Sequence, residues 1–407
     1  MLTPRGSGLL GTAVALWIGS QTFGTPELQI AAVALIALVA IAFVSTWLTS
    51  TDLHADRLIQ PAKLPFGGTA EARVAVINRG TRRTARIRLT EQAPAALASP
   101  PEETIPVLRR GQRHEVSYRL HGGQRGISTL GPLIAELSDP FRITSRTKVV
   151  PGTATVTVRP KIVPLAQGLP LSGISGGTGE GRPRPRPGGE DVAEVRDYVR
   201  GDALRTIHWP STAHRGKLMV RREESPQDPR ATVLLDRRQA RHRGQGPTAS
   251  LETAVSAAAS VICHLAARGQ AVALVDHAAG AGVPVRTADA WLDHLAEVEA
   301  SDDDLRSVVA PLTAGAAVGS TLVAVVTTPD GADLQLLVRA GRSASTRIAL
   351  LVEAASHAGD DSSGSTTAAA AARLRAAGWR VTTLRRGDEL SERWNEILHA
   401  RRRAVGA

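Results

Sequence analysis

A single cysteine, Cys263, stands in the 407 residues, so neither an internal disulfide framework nor a cysteine-rich zinc site can form. Lying among Ala, Val and Ile in a predicted helix, it reads as a buried, inert thiol, and such scarcity fits a reducing compartment. Lysine is almost as rare: Lys63, Lys148, Lys161 and Lys217 are the only four among 49 basic residues. Residues 231–407 have no lysine at all, and their 19 arginines are matched by 19 acidic residues, so the net charge of +11 belongs entirely to residues 1–230. Aromatic residues make up 3% of the chain, and none are interleaved with basic ones as a base-stacking surface requires, which argues against nucleic acid as a partner. An anionic membrane face is the simpler partner for a basic N-terminal half. There is no Gly-x-x-x-x-Gly-Lys-Ser/Thr loop for nucleotide phosphates, and no cofactor is expected.

Charge is also missing from Leu28–Leu48, 21 residues that span a bilayer core of about 30 Å as a helix. Gly8–Phe23 is a shorter apolar run, and Gly24–Glu27 between them suits a tight turn. Residues 1–50 are therefore expected to form a transmembrane helical hairpin, with a signal peptide as the alternative for the first run. Arg5 precedes the hairpin and Arg57 and Lys63 follow it, while the turn has no basic residue. That places both ends, and the bulk of the chain, on the cytoplasmic side of the plasma membrane. Trp47 is placed to anchor at the inner interface.

From 55 to 160 the apolar period becomes two. Arg86–Leu89, Val116/Tyr118/Leu120, Leu133/Ala135/Leu137 and Thr155–Val158 alternate, with turn signals such as Gly122-Gly123 and Asp139-Pro140 between them. Short strands at that spacing predict a small antiparallel β-sandwich. Residues 161–189 are a Gly/Pro/Arg linker by composition. Over 231–402 strand and helix alternate: strands at Ala231–Leu235, Ala271–Val275, Thr321–Thr327, Arg347–Val352 and Trp379–Leu384, and helices at Leu251–Arg268, Ala288–Glu299, Ala368–Ala377 and Glu389–Arg402. This pattern predicts a mostly parallel sheet covered on both faces, with ligands beyond the carboxyl ends of its strands, where Asp236, Asp276 and Thr328/Asp330 fall.

Between linker and α/β region, 190–222 concentrates unlike residue types. Arg196, Asp197, Tyr198, Arg200, Gly201, Asp202, Arg205, His208 and Trp209 share fourteen positions. Arg196, Asp202 and Arg205 can form a charge network, Gly201 permits a turn closed to other residues, and Ile207 and Trp209 supply apolar anchors. Three roles are open: a structural clasp, a docking surface built on Arg, Tyr and Trp, or catalysis through Asp202 and His208, for which spacing assigns no nucleophile, base and orienting residue.

The run Glu190, Arg196-x-Tyr198-x-x-Gly201-Asp202-x-x-Arg205-x-Ile207-x-Trp209, then Ala213, Leu218 and Val220, resembles the signature of the domain-of-unknown-function fifty-eight family of MoxR-associated membrane proteins. Arg125-Gly126, Gly131-Pro132 and Asp139-Pro140-Phe141 fit the same resemblance. It covers nearly the whole chain and implies a transmembrane hairpin, a β-rich segment and a von Willebrand factor A-like, Rossmann-type α/β domain. It also implies a MoxR-type AAA+ ATPase as partner. Such a domain suggests a Mg²⁺ site built on Asp-x-Ser-x-Ser. Here the stretch is Asp236-Arg237-Arg238-Gln239-Ala240, a degenerate site lacking both serines, so no bound metal is expected and Asp236 is expected to pair with an arginine.

The expected function is a non-enzymatic, membrane-anchored interaction or assembly protein facing the cytoplasm. The alternatives are a metal-dependent hydrolase using Asp236 and Asp330, and a structural cell-envelope protein.

Overall fold

An uncharged apolar run satisfies its backbone polar groups within itself, and residues 28–48 do so within a helix. In the computed structural model, which describes residues 1–49, 52–100, 102–167, 195–197, 209–221, 230–277, 285–313, 321–359 and 364–404, α1 runs Pro4–Phe23 and α2 Pro26–Leu48. Each starts with proline in its first turn, where the missing N–H costs nothing. Thr3 caps α1 by accepting from the Gly6 amide, and Gly24 closes it in the left-handed conformation (φ 62°). By length and composition α2 can cross a membrane, and only 17% of its apolar window is buried in the protein. α1, interrupted by glycine and serine, falls short of that mark. The pair nevertheless leaves Val14, Trp17, Ile18, Phe23, Ile41 and Trp47 largely exposed.

The described residues cluster into two compact units. The first is Met1–Val163 with Gly244–Ala259 and Asp289–Glu299; the second is Pro164–Arg243 with Ser260–Ala288 and Ala300–Ala407.

In the first unit, β1 (Leu53–Gln60), β3 (Thr69–Asn78) and β6 (Arg113–His121) form one sheet, with β3 central. The two-residue β2 (Lys63–Leu64), β7 (Gly126–Leu130) and β10 (Ala154–Val158) form a second, and β4 (Arg86–Glu91), β5 (Glu103–Ile105), β8 (Leu133–Ser138) and β9 (Ser145–Val150) a third. The alternation read from the sequence holds: Val116, Tyr118 and Leu120, and likewise Leu133, Ala135 and Leu137, all turn into one buried cluster shared by the three sheets. The departure is that β2 pairs parallel to β10. Proline has no N–H to continue a ladder, and Pro61 ends β1, after which the chain restarts at a different edge. Arg57 and Glu91 are buried together as an ion pair of 2.7 Å. Arg125 donates to both oxygens of Glu252 (3.0 and 2.7 Å) and to the Leu295 carbonyl.

Asp139, fully buried, builds the loop that receives the helices. Its carboxylate accepts from the amides of Phe141 and Thr144. Thr144 Oγ1 meets Thr46 Oγ1 of α2 at 2.7 Å and lies 3.2 Å from the Ala42 carbonyl, while Thr3 Oγ1 donates to the Arg142 and Ile143 carbonyls. Gly6 of α1 lies so close to the Ile143 carbonyl that any Cβ would collide with it.

In the second unit, β11 (Val195–Asp197) pairs antiparallel with β12 (Met219–Arg221), and α3 (Trp209–Arg215) precedes β12. A six-stranded sheet follows, built from β13 (Arg230–Leu235), β14 (Ala271–Val275), β15 (Val285–Arg286), β16 (Thr321–Thr327), β17 (Thr346–Val352) and β18 (Arg380–Leu384). Its order is β15-β14-β13-β16-β17-β18, parallel except for β15. Of the helices, α4 (Ser250–Ala267) divides between the units after Ala259 and α5 (Ala288–Glu297) falls in the first from Asp289 onward, while α6 (Leu305–Thr313), α7 (Gly331–Ala340), α8 (Ala354–His357), α9 (Gly364–Ala376) and α10 (Leu390–Ala404) belong to the second. α4 is also apolar enough to span a membrane, but 61% of that window is buried, as in a core helix. α6 and α7 pack with β16, β17 and α9 in one apolar cluster.

Candidate functional site

In the sheet, β13 has β14 on one side and β16 on the other, so the chain leaves β13 where the connections diverge, a place that opens a crevice beyond the strand ends. Asp236 is the first residue past β13. Its amide donates to the Val325 carbonyl, which holds the backbone against β16. Its side chain is only 2% exposed, and a carboxylate so buried needs partners.

All four acceptor positions of that carboxylate are engaged. Oδ1 accepts from the Arg238 amide (3.1 Å) and Arg238 Nε (2.9 Å); Oδ2 accepts from Arg238 Nη2 and Thr327 Oγ1, both at 2.9 Å. Arg238 then turns the rest of its planar fork to Asp333, at 3.2 Å from Nη1 and 2.9 Å from Nη2. Asp333 is presented by the first turn of α7, whose N-cap is Asp330: the Asp330 carboxylate accepts from the Ala332 and Asp333 amides. Arg241 pairs with Asp330 and lies 3.4 Å from Asp333. His242 Nε2 is 2.9 Å from the Asp236 carbonyl.

Burial pushes the Asp236 carboxyl up, but the hydrogen bonds and charge of Arg238, with Thr327, outweigh it and hold the group below its ordinary value. Burial works equally against the charge on Arg238, and its two carboxylates overcome it, raising its pKa. Burial lowers His242, and the pull of Asp236 does not offset it. The cluster is thus a guanidinium held between two carboxylates, those of Asp236 and Asp333.

A Mg²⁺ ion would need open oxygen ligands at this position. The Asp236 oxygens are already filled, Arg238 and Ala240 stand where serine hydroxyls would be, and a guanidinium occupies the space between the acids. The residues present do not fit a divalent cation. Among the described residues no group of three or more His, Cys, Asp or Glu side chains is placed to hold a metal.

Asp236 and Asp330 both lie beyond the carboxyl ends of their strands, joined through Arg238, Asp333 and Arg241 rather than directly. Asp276, at the end of β14, is buried and meets His277 Nδ1 at 2.7 Å. Thr328 bonds Thr367 at 2.8 Å. The acidic run Ser301–Asp304 leads into α6, with Asp303 facing Arg237 at 3.6 Å. Thr327 and Asp333 were not among the candidate residues; an N-cap Asp three positions before a second Asp was the available signal.

Of the signature residues, Glu190, Tyr198, Gly201, Asp202, Arg205 and Ile207 lie outside the described residues. Arg196 sits in β11 opposite Val220 of β12. Trp209 opens α3 and is 66% exposed, against the expectation of an apolar anchor. Met219 in β12 is buried instead, its amide bonded to Thr212 Oγ1 at 3.0 Å.

No curated protein matches this chain. Two solved structures resemble about a quarter of it. One is the CARDB domain of PF1109 from Pyrococcus furiosus (12% identity, 26% of this chain, 94% of that one, TM-score 0.18). The other is a FixG-related protein from Vibrio parahaemolyticus (13% identity, 26% and 96% coverage, TM-score 0.19). At such scores neither bears on fold or function. The family model described as "Protein of unknown function DUF58" matches residues 194–402, just over half of the chain, and spans β11, α3, β12 and the six-stranded sheet with its arginine-centred cluster: the chain belongs to the DUF58 family.

Proposed function

We propose that this protein is a non-enzymatic, membrane-anchored interaction protein. Its N-terminal helix pair sits in the plasma membrane, its folded bulk faces the cytoplasm, and its α/β unit is von Willebrand factor A-like. The strand order, with an antiparallel edge strand and a crevice at the Asp236 end of β13, supports the last point. The apolar surface left open on α1 and α2 supports the first, because soluble surfaces rarely carry so large a patch. Arg5 precedes the apolar pair and Arg57 and Lys63 follow it, while the turn between has no basic residue, in keeping with a cytoplasmic side.

Trp209 is the observation that carries the docking reading. An exposed tryptophan in a segment dense in arginine is the composition of an interface hot spot. A MoxR-type AAA+ ATPase is the partner that the family resemblance nominates. A metal-dependent hydrolase using Asp236 and Asp330 would require Arg238 to be displaced from two carboxylates, so the geometry favours the interaction role.

Affinity capture with the full chain in detergent tests this. Trp209→Ala should weaken partner capture by about thirtyfold, the loss typical of an aromatic anchor worth roughly 2 kcal/mol, with unchanged melting. Undiminished capture removes Trp209 from the interface. Cleavage of residues 55–407 by protease added outside intact cells would place the bulk in the envelope instead.

A further inference from the structure

At the foot of α1, against the outward face of the β4–β8 pair, lies a cavity of about 280 Å³. Its basic lining is Arg5 from the first turn of α1, Arg86 and Arg88 from β4, and Arg142 from the loop that seats the hairpin. In the ladder Arg86 stands opposite Ser138 and Arg88 opposite Glu136. Ile87 and Leu89, the alternate positions, are buried in the core, so the two arginines share the outward face. Glu136 is the single acid in the lining, against four guanidinium groups. None of those four has an ion pair among the described residues, although Arg57, Arg125, Arg159 and Arg238 elsewhere are all paired.

Four unpaired cations gathered around one cavity repel one another and await an anion. Arg142 holds a left-handed backbone (φ 57°), a conformation that bulky side chains adopt at a cost and that concentrates at ligand sites. Its amide donates to the Asp139 carbonyl (3.0 Å), which fixes that turn. The cavity lies beside Thr3, whose hydroxyl caps α1 and holds the loop 139–144, so it sits at the level where the apolar helices begin. At roughly 30 Å³ per water, it holds a phosphate group together with several waters.

We propose that this cavity binds the phosphate of an anionic glycerophospholipid headgroup, with Arg5, Arg86, Arg88 and Arg142 as the recognising groups. Arginine forks match phosphate oxygens bidentately, and a basic pocket at the cytoplasmic end of membrane helices suits anionic headgroups. The proposal rests on the membrane reading of α1 and α2.

The full chain, purified in neutral detergent and reconstituted into nanodiscs, provides the test. Three probes are used: phosphatidylcholine alone, phosphatidylcholine with cardiolipin, and inorganic phosphate. Native mass spectrometry reads retained lipid, and alkaline carbonate extraction of membranes reads insertion. The native chain should retain cardiolipin, and Arg86→Gln/Arg88→Gln should retain it roughly thirtyfold less, at about 1 kcal/mol per arginine. Arg113→Gln/Arg119→Gln on β6, outside the cavity, should behave as native.

Equal retention by the Arg86/Arg88 variant, or an equal loss in the Arg113/Arg119 variant, overturns the site. Binding of inorganic phosphate that displaces cardiolipin at equal concentration overturns the lipid source and makes a soluble phosphate the ligand. Extraction of the chain by carbonate overturns the membrane reading and the proposal with it, whereas insertion without selective retention overturns the proposal alone.

Discussion

Arg238 and Asp333, 95 positions apart in sequence, meet through two hydrogen bonds of 3.2 and 2.9 Å while the same guanidinium holds Asp236. Removing one partner of a buried ion pair strands the other, at a cost of about 3–5 kcal/mol. Arg238→Gln should therefore destabilise the protein by that order, and Arg238→Lys should not restore it, because an ammonium cannot serve both carboxylates in one plane. Urea unfolding of the detergent-solubilised chain measures both.

Vacating the guanidinium and supplying hydroxyls should turn the crevice into a cation site. Arg238→Ser/Ala240→Ser leaves Asp236, Thr327 and two serines as oxygen ligands. Millimolar Mn²⁺ should raise the melting temperature of this variant and leave the native protein unmoved. Indifference in both proteins counts against the von Willebrand A-like reading of the α/β unit.

Acid should weaken the protein in two steps. His242, His264 and His357 are each pushed below the ordinary 6.5 by burial. The unfolded chain takes up those protons first, so stability falls as pH drops below about 6.5 and continues falling to the depressed folded values. Asp236, held below 3.8, keeps its contribution above that pH and loses it only on passing through the lower folded value. Melting curves from pH 8 to 4 should show the first decline, and His242→Gln should flatten it in part.

Two tryptophans should behave oppositely. Trp394 in α10 is fully buried, packs edge-on against His264 at 5.5 Å and donates to the Ala166 carbonyl at 3.2 Å. Trp394→Ala should cost about 3–5 kcal/mol, as large core truncations do. Trp209→Ala should change stability by less than about 0.5 kcal/mol, as exposed substitutions do. Chemical denaturation of both variants separates them.

The seat of the helix pair should depend on Asp139. Asp139→Ala strips two backbone amides of their acceptor, each loss costing about 1–3 kcal/mol. Hydrogen exchange over residues 139–146 should speed up well beyond tenfold, with the six-stranded sheet unchanged. Gly6→Val, which drives a side chain into the Ile143 carbonyl, should have the same local signature.

The parts legible in the sequence were those set by local pattern. The strands at Ala271–Val275 and Thr321–Thr327 fall where the apolar runs place them, because a strand covered on both faces must be apolar throughout. The edge strand β15 has two residues, both exposed, and α7 begins at Gly331 with an ordinary mixture of residues, so neither announces itself by periodicity. Asp236 was readable as a strand-end carboxylate facing an arginine. That one arginine would join it to Asp333 was not, since nothing local links residues from two different crossovers. Asp139-Pro140 read as a turn; its service to two helices lies in Thr46 and Thr144, which only the fold brings together.

The grip of that loop alters what kind of attachment the N-terminal helices provide. A flexible leash would let the β-rich unit tumble and present any face to its surroundings. Hydrogen bonds from Thr3 at the start of one helix and to Thr46 near the end of the other act instead as a two-point mount. Rotation about either helix axis is then blocked by the other, so that, if the pair is seated in a membrane as proposed, the β-rich unit keeps one bearing relative to the membrane normal. On that reading, a partner diffusing along the same bilayer would meet a surface whose orientation has been settled in advance, and part of the rotational entropy of association would be lost on folding rather than at each encounter.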